Sequence, residues 1–122
     1  MTWEYSQSTG RLTRNGVTVG AGYSGAPPAG LNNPQMQQIR NVGPIPRGRY
    51  QIGTPRDTTR HGPHVLDLTP VGHNALGRSE FLIHGDKIAG PPKSASNGCI
   101  ILARTLRNQI SLSNDRELVV TE

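Results

Sequence analysis

The residues best able to do chemistry in this chain are its one cysteine and its four histidines. A cysteine thiolate is a strong nucleophile, but an unassisted thiol has a pKa of roughly 8.5 and is mostly protonated near neutral pH. A histidine within hydrogen-bond reach can take that proton and activate the sulfur. Cys99 is therefore a candidate nucleophile, provided that one of the histidines lies beside it.

The residues around Cys99 favour a site over a buried position. Ser96, Asn97 and Gly98 precede it and have the composition of a tight turn. Such a turn can aim consecutive backbone N–H groups at one point, which is what an oxyanion hole requires. We expect the N–H groups of Gly98 and Cys99 to form that hole, with Ser96 and Asn97 positioning the turn.

His84 is the histidine best placed to act as the base. It follows an apolar run that begins at Phe81 and predicts a short strand, and it is followed by Gly85 and Asp86. Its ring should therefore lie at a strand end, where functional residues tend to be found. His61 and His64 flank Gly-Pro and are typical of polar loop residues.

Other uses of the same residues stay open on composition. A single cysteine ahead of an apolar run is more often a small buried hydrophobic residue, and a histidine beside glycine is more often a turn residue than a base. Zinc binding would also use Cys and His, but Cys99 with His61, His64 or His73 lacks the paired short spacings of structural zinc sites. We expect no metal and no cofactor.

The elements that must position these residues are mostly strands. The chain has 122 residues, with 15 Gly and 10 Pro in no collagen-like period, which is typical of short strands joined by tight turns. Strands are predicted near residues 3–5, 12, 17–23, 49–52, 64–68, 81–83, 98–102 and 118–120. Asn15-Gly16 predicts a hairpin turn. Short helices are predicted after the cap at Asn33 and over residues 103–113, from the spacing of Leu106 and Ile110. We expect one mostly β domain over residues 1–122, with one or two short helices.

Charge and composition exclude several classes of partner. The net charge is +5, and eleven of the 13 basic residues are Arg, which suits an anionic partner. The basic residues are scattered and aromatic residues make up only 4%, whereas nucleic-acid binding needs clustered charge and stacking rings. No apolar run approaches the ~20 residues needed to span a membrane, and no signal peptide opens the chain. We therefore expect neither nucleic-acid binding nor membrane insertion.

Two segments resemble the signature of the YkuD-like L,D-transpeptidases. One is Ile83-His84-Gly85-Asp86 followed by Ser96-Asn97-Gly98-Cys99-Ile100, with His84 and Cys99 fifteen positions apart. The other is the stretch over residues 44–52, which resembles the Thr-Pro-x-Gly-x-Tyr-x-Ile segment with Pro46, Gly48, Tyr50 and Ile52 in phase. The chain also resembles a narrower branch of this family, the L,D-transpeptidase effectors delivered by bacterial type VI secretion. This resemblance lies in the small size of the chain and in residues 3–23 and 71–78.

The resemblance implies a fold and a reaction. The fold would be an L,D-transpeptidase-like β-sandwich or barrel, and the substrate would be the tetrapeptide stem of peptidoglycan. Cys99 would attack the bond between diaminopimelate and the terminal D-Ala, while His84 takes the thiol proton and then protonates the leaving D-Ala. Water, a free D-amino acid or a second stem would resolve the thioester. The group orienting His84 stays open between a backbone carbonyl and Ser96.

The chain departs from the family pattern at two positions. Asn97 stands where the family usually has His, and Ile101 stands where it has a polar residue that helps to hold substrate. We expect Arg78 to hold the substrate carboxylate instead, since it lies in the loop that leads into the strand ending at His84. His73 and Arg104 are alternatives for this role, and Gly85 and Asp86 are expected beside the substrate. Arg78 could instead be a solvated charge in that loop, and the sequence leaves this alternative open.

The resemblance also implies a setting. We expect a toxin made without a signal peptide in the producer's cytoplasm, secreted, and acting in the target-cell periplasm. Its partners would be stem peptides, the secretion apparatus and an acidic immunity protein. Two rival functions are a housekeeping cell-wall L,D-transpeptidase and a catalytically inactive wall-binding domain. Fast labelling of a low-pKa Cys99 near neutral pH would favour the enzyme.

Overall fold

Alternating buried and exposed side chains turn short stretches of this sequence into strands. The structure, a computed structural model, describes residues 2–87 and 94–122, so the loop predicted over residues 87–97 lies partly outside the described residues. These residues form ten strands and one α-helix: β1 (Trp3–Ser6), β2 (Arg11–Arg14), β3 (Val17–Ala21), β4 (Tyr23–Ser24), β5 (Gly48–Ile52), β6 (Arg56–Thr58), β7 (Gly62–Val71), β8 (Phe81–His84), β9 (Ile100–Ile101), α1 (Arg104–Leu112) and β10 (Glu117–Thr121). Two short 3₁₀ turns cover Pro34–Met36 and Ala75–Gly77.

The strands form one strongly curved sheet. Their order is β3-β2-β1-β10-β5-β7-β8-β9-β4, and β6 pairs with β7 beside this path. Most neighbours are antiparallel, but β1 runs parallel to β10 and β8 runs parallel to β9. The sheet closes almost into a barrel, with 38% strand and 13% helix. The predicted mostly β fold with short helices is confirmed.

The core fills the inside of this sheet. Trp3 and Tyr5 are buried on either side of exposed Glu4, as the alternation on β1 predicts. The helix α1 adds Leu106 and Ile110. Fully buried large side chains, each of which stabilises the fold by about 1.5–3 kcal/mol, include Trp3, Tyr5, Leu12, Ile45, Tyr50, Ile52, Leu66, Ile83, Ile100, Leu102, Ile110 and Leu118.

Local turn chemistry agrees with the sequence. Asn15 and Gly16 both have positive φ, 56° and 75°, as the tight hairpin between β2 and β3 requires. The side chain of Asn33 accepts the N–H of Gln35 at 3.1 Å, which confirms the predicted cap, although the helix after it is a single 3₁₀ turn. The strand β6 was not expected, because its residues are polar and lie in a stretch predicted to be a loop.

The parallel pair β8 and β9 positions the candidate site. Ile83 lies opposite Ile100, and His84 lies opposite Ile101. Because side chains alternate between the two faces of a sheet, Cys99, two residues before Ile101, belongs to the same face as His84. Two residues fifteen positions apart are therefore brought onto one surface by strand pairing. Within the described residues, no helix combines the length and apolar character needed to cross a bilayer.

Candidate active site

One open cleft of about 1550 Å³ contains both Cys99 and His84 in its wall. Several other residues that the sequence singles out line the same cleft, namely Arg78, Gly85, Asp86, Asn97 and Gly98. Ser96 and His73 do not line it. The cleft wall also holds three residues that sequence reasoning left unassigned or placed in loops, namely Arg60, His61 and Arg107.

The turn before Cys99 is built around the Ser96 hydroxyl. Ser96 Oγ accepts the N–H groups of Gly25 and Gly98 at 2.9 and 3.0 Å and donates to the carbonyl of Cys99 at 2.6 Å. The N–H of Gly98 is therefore already used, whereas the N–H of Cys99 has no acceptor within the described residues. Of the two donors expected for an oxyanion, only the Cys99 N–H is available in this arrangement, and Ser96 acts as the predicted turn-positioning residue.

Arg78 holds the other side of this turn. Its Nη1 donates to the carbonyls of Gln37 and Pro44 at 2.6 and 2.8 Å, and its Nη2 donates to those of Gly43 and Asn97 at 3.0 and 3.1 Å. All four terminal N–H groups are thus used inside the protein, and the residue is only 6% exposed. This geometry corrects both roles considered for Arg78, because a buried guanidinium with its four terminal N–H groups bonded to carbonyls is neither a solvated loop charge nor a free ligand for a substrate carboxylate.

Gly98 is required where it contacts Arg78. Its φ is +142°, a conformation that residues with a side chain rarely adopt. A Cβ at this position would lie 2.5 Å from Arg78 Nη2. The turn can therefore close on the guanidinium only with glycine before the cysteine, and this gives a physical reason for the Gly98-Cys99 pair.

His84 is buried and held in one orientation. Its Nδ1 lies 2.8 Å from the carbonyl oxygen of Gly85. Because a carbonyl only accepts, Nδ1 carries the hydrogen, and Nε2 of the neutral ring keeps its lone pair. Nε2 is itself buried without a hydrogen-bond partner among the described residues. The orienting group is thus a backbone carbonyl, one of the two candidates that the sequence left open.

Cys99 and His84 share the cleft but are not hydrogen-bonded to each other. The Cys99 thiol donates to the carbonyl oxygen of Glu80, which lies 3.8 Å from the sulfur. Catalytic hydrogen bonds are often long before substrate binds and tighten afterwards. The structure therefore places the two groups in the wall of one cleft without a direct contact between them.

The electrostatics of this pair favour the uncharged forms. Burial raises the pKa of the Cys99 thiol above its usual value, although the charge of Arg78 acts in the opposite direction. Burial also lowers the pKa of the His84 imidazole, although the Gly85 carbonyl opposes this. The resting pair at neutral pH is a thiol and a neutral imidazole. The low-pKa thiolate that marks a reactive cysteine is not present in this resting arrangement.

His61 covers the face of the His84 ring. The two ring centroids are 4.4 Å apart and the planes are inclined by 33°. Burial lowers the pKa of His61, and the charges of Arg60 and Arg56 add to this effect. Two stacked neutral imidazoles avoid like-charge repulsion inside the cleft. The sequence placed His61 in a polar loop, and only the pairing of β6 with β7 brings that loop over His84.

His73 and Asp86 have partners of their own. His73 Nε2 donates to the carbonyl of Arg49 at 2.9 Å, and its Nδ1 accepts the N–H of Ala75 at 3.0 Å. With both ring nitrogens used, and with no place in the cleft wall, His73 is not positioned for the substrate-binding role predicted for it. Asp86 does line the cleft, where its Oδ1 accepts from the hydroxyl of Tyr23 at 2.8 Å.

Arg107 is the functional candidate that sequence reasoning missed. It lies on α1 and is only 7% exposed. Its Nε donates to the carbonyl of Leu102, and its Nη1 donates to those of Pro63 and His64 at 2.8 and 3.1 Å. Its Nη2 has no acceptor within the described residues. In the sequence Arg107 is one of the polar residues of the predicted helix over residues 103–113, and no sequence signal distinguishes it from the others.

The charged residues of the cleft are mostly basic. Among the described residues, six basic side chains line it against three acidic ones, which are Asp67, Glu80 and Asp86. Arg56 pairs with Asp67 through two hydrogen bonds at 2.9 and 3.0 Å. The remaining excess of positive charge suits a substrate that carries carboxylates. Within the same residues, no group of three or more His, Cys, Asp or Glu side chains is placed to hold a metal ion.

Comparison with known protein families identifies the group to which this chain belongs. Residues 18–121 match the family model described as the Tlde1 domain, which covers most of the chain. No curated protein matches it. The match confirms the type VI secretion branch of the resemblance, while the wider relationship to YkuD-like enzymes stays a prediction. The chain therefore belongs to the Tlde1 domain family, the type VI secretion L,D-transpeptidase effectors.

Proposed function

We propose that this protein is an antibacterial effector enzyme that cuts or remodels the tetrapeptide stems of peptidoglycan through a thioester on Cys99. Membership of the Tlde1 domain family supports peptidoglycan as the target. One observation carries the chemistry, which is the buried and unpartnered Nε2 of His84 on the same cleft wall as the single cysteine.

The first step would be proton transfer coupled to attack. As the stem peptide binds, the Cys99 thiol gives its proton to His84 Nε2, and the sulfur bonds to the carbonyl carbon before the terminal D-Ala. The negative charge that develops on the carbonyl oxygen is met by the N–H of Cys99. The hydrogen bond from Nδ1 to the Gly85 carbonyl holds the ring and stabilises the imidazolium that forms.

The second step would release the D-amino acid. The tetrahedral intermediate collapses, the carbon–nitrogen bond breaks, and His84 returns its proton to the leaving amine. Water then gives a shortened stem, a free D-amino acid gives an exchanged stem, and a second stem gives a cross-link. Trimming and exchange both remove the donors that a target cell needs for its own cross-links, which fits a toxin.

The neutral resting pair makes a prediction about pH. Since the base must be uncharged, kcat/KM should fall on the acid side at the pKa of His84, and burial places that pKa below the ordinary value of about 6.5. The acid limb of the profile should therefore lie below pH 6.5. An acid limb above that value would contradict a buried His84 as the base.

The decisive experiment is digestion of purified disaccharide-tetrapeptide, with the products read by mass spectrometry. The wild-type protein should release D-Ala. In the presence of another free D-amino acid, it should replace the terminal D-Ala of the stem with that amino acid. Cys99→Ala should release none, and His84→Ala should be slower by roughly 10²–10⁴-fold. His64→Ala is the matched control, because His64 lies outside the cleft and, among the described residues, its ring bonds only the Ser111 hydroxyl. Full activity of Cys99→Ala would exclude the mechanism.

A wall-binding domain without catalysis is the second candidate, and the raised pKa of Cys99 is the observation that favours it. In that case the wild-type protein would give no product in the digestion, while wild-type and Cys99→Ala proteins would sediment equally with purified peptidoglycan sacculi.

The proposal also includes a setting for the reaction. The substrate occurs in the periplasm, so we place the action there after delivery by the secretion apparatus. The net charge of +5 favours an acidic immunity protein as the partner that protects the producer. The periplasm-targeted toxin can be coexpressed with candidate acidic proteins. The immunity protein should be the one that restores growth.

A further inference from the structure

The groups of the cleft follow one another in a fixed order along the parallel strands. Cys99 comes just before β9, and His84 lies level with Ile101 further along the same direction. Gly85 follows His84, and a Cβ on Gly85 would lie 2.8 Å from Arg107 Nη2. The order along the cleft is therefore sulfur, imidazole and guanidinium.

The guanidinium of Arg107 is anchored at one side and open at the other. Three carbonyls hold Nε and Nη1, whereas Nη2 has no acceptor within the described residues. Arg107 also lines a second cavity of about 480 Å³ that shares Gly85 and Asp86 with the main cleft. A buried cation with an unused donor between two cavities is placed to meet an anion.

The chemistry of the leaving group fixes which anion would lie there. His84 protonates the leaving amine in the proposed reaction, and in an α-amino acid the carboxylate is attached to the carbon that carries this amine. A carboxylate in that position falls beyond His84, on the side away from the sulfur. This is the side on which Nη2 lies.

We propose that Arg107 Nη2 binds the terminal carboxylate of the D-amino acid that leaves the stem peptide, or that replaces it in exchange. This assignment rests on the proposed function. Arg107 is then a specificity residue that selects stems with a free carboxyl end. Asp86 is the acidic side chain shared by both cavities, and its Oδ1 is engaged by the Tyr23 hydroxyl and the Lys87 N–H.

The anchoring makes the site preorganised. Because three N–H groups of Arg107 are already bonded, its long side chain loses little further freedom when a carboxylate binds. Gly85 permits the close approach, since any side chain there would push Nη2 aside. Arg78, with its four terminal N–H groups bonded to carbonyls, offers no comparable donor.

The test measures binding without catalysis. In the Cys99→Ala protein, calorimetry compares disaccharide-tetrapeptide ending in D-Ala with the same compound ending in D-alaninamide. A charge-assisted hydrogen bond predicts that the amide binds about 10- to 100-fold more weakly. Adding Arg107→Lys should remove most of this difference. Arg116→Gln, at an exposed arginine that lines neither cavity, should keep it.

A second readout needs no change at Arg107. In ¹⁵N-labelled Cys99→Ala protein, the Nε–H resonance of Arg107 should move on addition of the acid and stay in place with the amide. Equal binding of acid and amide, or no binding of either, would overturn the assignment. If the acid is preferred but the wild-type protein releases no D-Ala, the carboxylate site stands and the proposed reaction fails.

Discussion

Two buried arginines stand at opposite ends of the candidate site, and they differ in how their N–H groups are used. Arg78, at the Cys99 end, donates all four terminal N–H groups to the carbonyls of four residues. Arg107, at the His84 end, donates through Nε and Nη1 only, as far as the described residues are concerned. Their exposures are nearly the same, 6% and 7%. Burial alone therefore does not separate a structural arginine from one available to substrate.

The difference lies in the count of donors against acceptors. A guanidinium has five N–H groups, and each buried one needs an acceptor. At Arg78 the loop over residues 37–44 and the turn at Asn97 supply four carbonyls, so the side chain joins two segments of the protein. At Arg107 the described part of the chain supplies three acceptors, and a substrate carboxylate is proposed to supply the next.

The largest expected effect is a loss of stability when the hydrogen bonds of Arg78 are removed. Arg78→Met should lower the free energy of unfolding by about 3–5 kcal/mol, because several buried carbonyls lose their donors at a cost of roughly 1–3 kcal/mol each. Urea denaturation measures this, with Arg40→Met as the control, since Arg40 is exposed and makes one long bond of 3.4 Å to the Gly77 carbonyl. A loss below about 1 kcal/mol would place Arg78 among ordinary surface charges.

The two glycines that face these arginines offer a matched pair of intermediate effect. Gly98→Ala should destabilise the protein by roughly 1–3 kcal/mol, because the new Cβ meets Arg78 Nη2 and the backbone has φ +142°. The Cβ of Gly85→Ala would lie closest to the unbonded Nη2 of Arg107, and no positive φ is involved, so this change should alter stability by less than about 1 kcal/mol. It should instead weaken binding of the free-acid tetrapeptide. Equal destabilisation by both changes would contradict the difference between the two ends.

The smallest expected effect concerns pH between 7 and 5.5. The pKa of His84 is lowered in the folded protein, so below the unfolded value of about 6.5 the unfolded chain binds more protons. Stability should therefore decrease as pH falls through this range, by roughly 1 kcal/mol. In His84→Gln the decrease should be smaller. A wild-type stability that rises on acidification would contradict the neutral buried imidazole.

Much of the architecture could be predicted from local patterns. Alternation placed the strands, Asn15-Gly16 set a hairpin, and the spacing of Leu106 and Ile110 gave the helix, because these features depend on neighbours in the chain. Leu112, an apolar residue at the end of that helix, is 85% exposed. The sequence also selected Cys99 and His84 as candidates from residue type and resemblance, and the structure places both in one cleft.

What the sequence by itself determined is therefore the set of short strands, the glycine turn before Cys99 and the candidate pair of Cys99 and His84. Only the tertiary structure decided that all four terminal N–H groups of Arg78 are bonded, that Arg107 Nη2 has no acceptor within the described residues, and that His61 stacks on His84. The physical reason is that each of these outcomes depends on groups distant in sequence. Arg78 bonds a loop some forty positions earlier, and Arg107 bonds the β7 strand at a similar separation. Whether a polar side chain is free is a property of its acceptors, and strand pairing places those acceptors.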